Sequence, residues 1–103
     1  MEGHSLISAE ILGSYAADAA REVSGVLRLA DGGLHRLRGV KVTEEDGTVS
    51  VDLHLTVAWG ASVPEVGAAV QRRVSDYLGR MADVTPAAVD VVVDEIGPPP
   101  AAG

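Results

Sequence analysis

The residues best suited to proton transfer or metal ligation are three histidines, His4, His35 and His54. A zinc site needs three or four converging ligands, and the chain has neither an H-x-x-x-H pair nor any cysteine. The lack of cysteine also removes a disulfide framework and a thiol nucleophile. His54 stands between Asp52 and Thr56, a spacing that allows a His–Asp pair, although an exposed strand histidine is its more ordinary meaning. His4 falls in the opening stretch and has no such neighbours. Asp90, Asp94 and Glu95 would form a cation site with Asp52 if their strands were adjacent. Such charges more often discourage strands from aggregating. Glu44, Glu45 and Asp46 lack the spaced ligands and terminal Glu of a calcium loop. Gly32, Gly33 and Gly39 match neither the Walker pattern nor G-x-G-x-x-G. The serines have no nucleophile elbow and no evident base. These residues assign no catalytic, metal-binding or cofactor-binding position, no cofactor is expected, and the chain is read as a non-enzyme.

One group stands apart electrostatically. Arg28, His35, Arg36, Arg38 and Lys41 form the only locally positive stretch in a chain of 8 basic and 15 acidic residues, formal charge −7. They are the candidate partner-binding segment, suited to an acidic protein, an anionic lipid or RNA. A solvated loop is the competing meaning. Arg72 and Arg73 would extend the patch if the fold brought them near. The net negative charge repels phosphate, so nucleic acid is not expected as a general partner.

The elements that must position these residues are legible. Ser8 is a good N-cap, and Glu10 sits where the helix dipole favours an anion. Ile11, Leu12, Tyr15, Ala16, Ala19, Ala20 and Val23 recur at helical spacing, which predicts a helix over about 9–23. Gly25 is placed to end it. Val26 to Ala30 reads as a short strand, broken by Asp31-Gly32-Gly33, and Leu34 to Gly39 is ambiguous. Val40 to Thr43 reads as a strand, with an Asp46-Gly47 hairpin signal after it. Val49, Val51, Leu53, Leu55, Val57 and Trp59 then alternate with Ser50, Asp52, His54, Thr56 and Ala58, predicting one buried and one wetter face. Ser62-Val63-Pro64-Glu65 is a capping box that opens a helix over about 63–81. Its stripe is Val63, Val66, Val70, Val74, Tyr77, Leu78 and Met81. Val89 to Ile96 is a last strand, ended by Gly97 and three prolines.

The fold expected is a small single α+β domain in α-β-β-β-α-β order. Its sheet is mixed and three- to four-stranded, with two helices on one face. The strand–helix–strand run over 49–96 implies a parallel pair joined by a crossover. The hairpin strand at 39–44 fits either between those two or at an edge. The predicted core is Ile11, Tyr15, Val23, Val51, Leu53, Leu55, Val57, Val66, Val70, Val74, Leu78, Val91 and Val93. The domain is expected over 8–97, with a flexible lead at 1–7 and a flexible tail at 98–103.

Composition agrees. The 103 residues supply one core, with 47% hydrophobic and 3% aromatic residues, so the interior must be aliphatic. Met1–Ile7 has no basic n-region or long apolar stretch and is not read as a secretory signal. No run approaches the ~18 apolar residues that span a bilayer. The default expectation is a soluble intracellular protein. One Lys against seven Arg, with abundant Ala, Val and Gly, points to a high-GC organism such as an actinobacterium.

Several stretches, in this order, match a known pattern. Ile7 to Ile11 and Ala17 to Val23 leading into Ser24-Gly25-Val26 form an opening helix and turn. Gly39 to Val42 and Val49 to Gly60 form central strands ending in aromatic-Gly. Val63-Pro64-Glu65-Val66 with Val70 to Val74, then Val89 to Ile96, complete it. Over about residues 6–97 the chain resembles the alkaline-shock, or general-stress, envelope protein family of Gram-positive bacteria. The resemblance implies a non-enzymatic envelope stress response protein. It also implies a place at the inner face of the cell membrane through a membrane-anchored partner, and self-association. The family has no agreed catalytic residues to carry over. The chain lacks the long charged tail of some members.

Two function classes follow. The first is a cytoplasmic protein-interaction or scaffold module near the membrane. The second is an RNA- or small-ligand-binding α+β module. A scaffold of this order is compatible with the second, but the charge, the single Trp and the lack of a G-x-x-G loop oppose it.

Overall fold

A computed structural model of the chain describes residues 8–30 and 39–99. The expected lead at 1–7, the middle of the basic segment at 31–38 and the end of the tail at 100–103 lie outside the described residues. The element order is α1 (Ala9–Arg21), β1 (Val26–Leu29), β2 (Val40–Glu45), β3 (Thr48–Val57), α2 (Val63–Ala82) and β4 (Ala88–Ile96), the α-β-β-β-α-β order expected.

Both helices begin where a side chain satisfies an otherwise unpaired N–H. The Ser8 hydroxyl accepts from the Ile11 N–H at 3.2 Å, and the Ser62 hydroxyl from the Glu65 N–H at 3.3 Å. The return bond of the capping box, from the Ser62 N–H to the Glu65 carboxylate, is not formed, so half of that motif is realised. Helix α1 ends at Arg21 rather than Val23, and the chain turns through Gly25 into β1.

β3 is the centre of the sheet, bonded to all three other strands. β4 runs parallel to it, from Ser50↔Ala88 to Val57↔Ile96. β2 pairs antiparallel with the first part of β3, Glu45↔Thr48 to Val40↔Leu53, and β1 with the last part, Leu29↔Leu55 to Val26↔Val57. A strand has only two edges, and β4 occupies one of them along this whole stretch. β1 and β2 therefore lie end to end along the other, and four strands make a sheet three strands wide. The hairpin strand is thus at an edge. Asp46 and Gly47 both have positive φ, 52° and 79°, as the two-residue turn between β2 and β3 requires.

The break between β1 and β2 falls opposite His54. Its carbonyl accepts from the Ala30 N–H at 2.8 Å, and its own N–H donates to the Gly39 carbonyl at 2.8 Å. Ala30 and Gly39 thus meet β3 at the same residue. Gly39 has φ +70°, and a Cβ there would lie 2.6 Å from the Ala30 nitrogen and 2.7 Å from the His54 carbonyl oxygen. Only glycine fits that junction.

Both helices cover one face. Val51, Leu53, Leu55 and Val57 are fully buried beneath Val70, Val74 and Leu78 of α2 and the Ala16, Ala19 and Ala20 face of α1. Val23 and Val66 are also buried, whereas Tyr15, Val91 and Val93 are half-buried and pack against the core. Ile11 departs from expectation, being 46% exposed. Leu12 takes its place, because the alanines set the centre of the buried stripe and turn Ile11 to its rim. Tyr15 meets Tyr77 edge to face, with ring centroids 5.9 Å apart, and so closes the rim between the helices. Trp59 lies beyond the end of β3 and is 57% exposed, so the buried alternation stops at Val57.

Candidate functional site

The face without helices is built from alternate residues of the same strands. β3 contributes Ser50, Asp52, His54 and Thr56; β2 contributes Lys41 and Thr43 opposite Asp52 and Ser50. From β4 come Asp90 and Val92, opposite Asp52 and His54. Period-two alternation would send Asp94 and Glu95 to opposite faces. The register shifts between Leu55 and Thr56, where Val93 pairs with Leu55 but Glu95 with Thr56, leaving Asp94 as the extra residue of a bulge. Both acids then reach the open face.

Their contacts follow. Asp94 holds the His54 Nδ1 at 3.1 Å. The Thr56 hydroxyl donates to Glu95 at 3.3 Å, and the Arg28 guanidinium lies 3.7 Å from the same carboxylate oxygen. With Arg28 and Glu95 on either side of it, Thr56 is only 3% exposed, the one buried polar residue among those described.

The sequence favoured an ordinary exposed strand histidine at His54; the less favoured His–Asp pair is the one that forms, with a different partner from the neighbouring Asp52. The acid is Asp94, forty positions along the chain, and Asp52 takes no part. A His–Asp pair activates a nucleophile only if one is within reach of the other ring nitrogen. The hydroxyl of Thr56, two residues along the same strand face, is already bonded to Glu95. Asp52 and Asp90 do lie side by side, as a cation site would need, yet no three acidic or histidine side chains converge on one point among the described residues.

Of the candidate partner-binding residues, Arg28 and Lys41 are both exposed on the open-face edge. Arg28 stands opposite Thr56 and Lys41 opposite Asp52, so the break in the edge strand lies between them. His35, Arg36 and Arg38 lie outside the described residues. Arg73 does not extend the patch: it sits on α2, in the other layer, and donates to Glu22 at 2.9 Å. Arg72 is likewise on α2, where it helps line an open groove with Glu22, Gly25, Ser62 and Arg73. That groove has the Arg73–Glu22 ion pair and the Ser62 helix cap in its wall.

The sequence missed the link from Asp94 and Glu95 to His54, Thr56 and Arg28. Its one visible trace is the pair of adjacent acids in a strand that otherwise alternates.

Comparison with known proteins places these features in a family. The model of the alkaline shock protein 23 family, described by its cell envelope-related function, matches residues 1–98. The uncharacterized protein YqhY of Bacillus subtilis (strain 168) is 32% identical over 89 residues, covering 77% of this chain and 66% of that protein. An uncharacterized protein of Streptococcus pyogenes serotype M6 is 37% identical over 54 residues, covering 52% of this chain and 42% of that protein. The chain thus spans about two thirds or less of these relatives' own length. Among solved structures, a doubly substituted MamM CTD is similar in fold, with TM-score 0.65 at 16% identity over 86% of this chain and 84% of that one. Another MamM CTD gives TM-score 0.62 at 19% identity over 85% of this chain and 99% of that one. At such identity the likeness concerns the fold alone, a small α+β domain with its helices on one side of the sheet. The family model spans both helices, the broken edge strand and the open polar face, and the chain belongs to the alkaline shock protein 23 family, whose function is cell envelope-related.

Proposed function

We propose that this protein is a non-enzymatic protein-interaction or scaffold module of the envelope stress response. It acts in the cytoplasm, peripherally at the inner face of the cell membrane, through a membrane-anchored protein partner and through self-association. The observation that carries the reading is the family match combined with a sheet whose helices cover only one face. The open face is polar, and next to its His54–Asp94 pair the Thr56 hydroxyl is bonded to Glu95. Such a surface suits recognition better than turnover. The chain has no described helix long and apolar enough to cross a membrane, which is why a protein partner is invoked for membrane contact.

Purification from native cells at native expression level tests this, with co-purifying proteins identified and the assembly size measured. An envelope protein in stoichiometric amount is the expected result. A strict monomer that captures no envelope protein would overturn it. Charge reversal at Arg36 and Arg38 asks whether the basic segment makes the contact. Capture that weakens as salt shortens the Debye length below ~8 Å, and is lost in the reversed variant, assigns it there.

A further inference from the structure

We propose that the outer edge of β4 docks an extended cationic segment of a partner protein, which adds as a further strand beside Asp90, Val92 and Asp94. The proposal rests on the interaction-module reading and names the chemistry of one partner.

The two edges of the sheet differ as templates. Strand addition needs a continuous run of free backbone groups. The β1–β2 edge is cut opposite His54 into runs of 4 and 6 residues. β4 is 9 residues long, bonds to β3 on one side with a single bulge at Asp94, and meets no strand on its other side among the described residues. Of its helix-side residues, Val89 is in the core, and Val91 and Val93 are half-buried and pack against it.

The open-face residues of β4 set what that neighbour must carry. Asp90, Val92 and Asp94 occur at period two and are all exposed. Asp90 has no cationic partner among the described residues, and Asp94 has only His54. Cross-strand neighbours of opposite charge are favourable and like charges unfavourable. An added strand therefore fits best with Lys or Arg opposite Asp90 and Asp94 and an apolar residue opposite Val92. The same residues refuse a second copy of β4. In the antiparallel register of fullest overlap, Val92 faces its own copy, and Asp90 faces Asp94 at two symmetry-related places. The carboxylates thus select against self-pairing and for a cationic strand, which is how specificity is commonly built.

The test uses the full chain and a labelled peptide, Thr-Lys-Thr-Val-Thr-Lys-Thr. Its lysines and valine fall on one face at the required spacing. The expected result is saturable binding below about 1 mM, a weak but real affinity. Chemical-shift changes on adding the peptide should be confined to Ala88–Ile96 and the adjoining face of β3. N-methylating alternate amides on the bonding edge of the peptide should weaken binding by roughly tenfold or more, since the backbone carries the affinity in this mode. Replacing both lysines by glutamate should do the same. In the doubly substituted Asp90→Lys, Asp94→Lys chain, both exposed positions, the preference should invert toward the glutamate peptide. Circular dichroism verifies that this variant is folded, and shift mapping on the unaltered chain supports or overturns the site without it. No saturable binding overturns the proposal. So does equal binding of all N-methylated forms, which would mean charge attraction without strand addition, or shifts located on the helices or the β1–β2 edge. A peptide that fails while native cells still yield an envelope partner removes this edge alone. The absence of any partner in cells removes the interaction reading itself.

Discussion

The two faces of β3 come from one strand of ten residues and share every backbone hydrogen bond. On the helix side, Val51, Leu53, Leu55 and Val57 are sealed beneath α1 and α2. On the other, Ser50, Asp52 and His54 are half-exposed, and Thr56 is covered only by its lateral neighbours. Burial of apolar side chains contributes roughly 1.5–3 kcal/mol each, whereas half-exposed polar pairs such as His54–Asp94 contribute ~0–1 kcal/mol. The fold is therefore held from one side. The other side is free to carry chemistry that recognises a partner, because changing it costs little stability.

The widest gap is expected at Leu53→Ala. Leu53 is fully buried at the middle of the strand, and truncation should cost ~2–5 kcal/mol in chemical denaturation. A loss below about half a kcal/mol would mean that the faces are exchanged, since a well-packed core cannot absorb such a cavity. Next is Gly39→Ala, at the junction between the faces and the edge. A methyl group there meets the Ala30 nitrogen and the His54 carbonyl, and the backbone is left-handed. A cost of about 2 kcal/mol or more is expected from strain and the displaced backbone bonds. Hydrogen exchange should show the amides of Ala30 and His54 losing protection first. Ser62→Ala comes third. The loss of one helix cap should lower stability by ~1 kcal/mol, and an unchanged denaturation midpoint would place the start of α2 elsewhere. The smallest effect belongs to the open face. His54→Ala should change stability by no more than about 0.5 kcal/mol, because the pair it breaks is half-exposed. A loss comparable to that of Leu53→Ala would erase the distinction between the faces.

The helices were readable because their apolar stripes and serine caps are local. Both N-termini fall where Ser8 and Ser62 indicate. β3 was readable because alternation over so many residues has no other explanation. The stripe of α1 included its alanines and Leu12, but the predicted core took Ile11, Tyr15 and Val23 from it and so misplaced Ile11. The stripe includes alanines as small as the gap between helix and sheet, and their weight in the pattern is less than their weight in the packing. The candidate site was less legible. His54 was visible as a strand histidine beside Asp52, but Asp94 reached it through a parallel pairing and a bulge. Neither is encoded by residues near His54.

The sequence by itself determined the element order, the direction in which each periodic element buries, the turn at Asp46-Gly47 and the family. Each depends on residues within a few positions of one another, or on motifs in a fixed order. Only the tertiary structure decided that β1 and β2 share one edge of β3, that β4 presents an edge interrupted only by the bulge at Asp94, and that Asp94 and Glu95 turn to the same face. Those outcomes depend on which strands meet and in what register. Register is a compromise between strands forty residues apart, where one extra residue redirects every side chain beyond it.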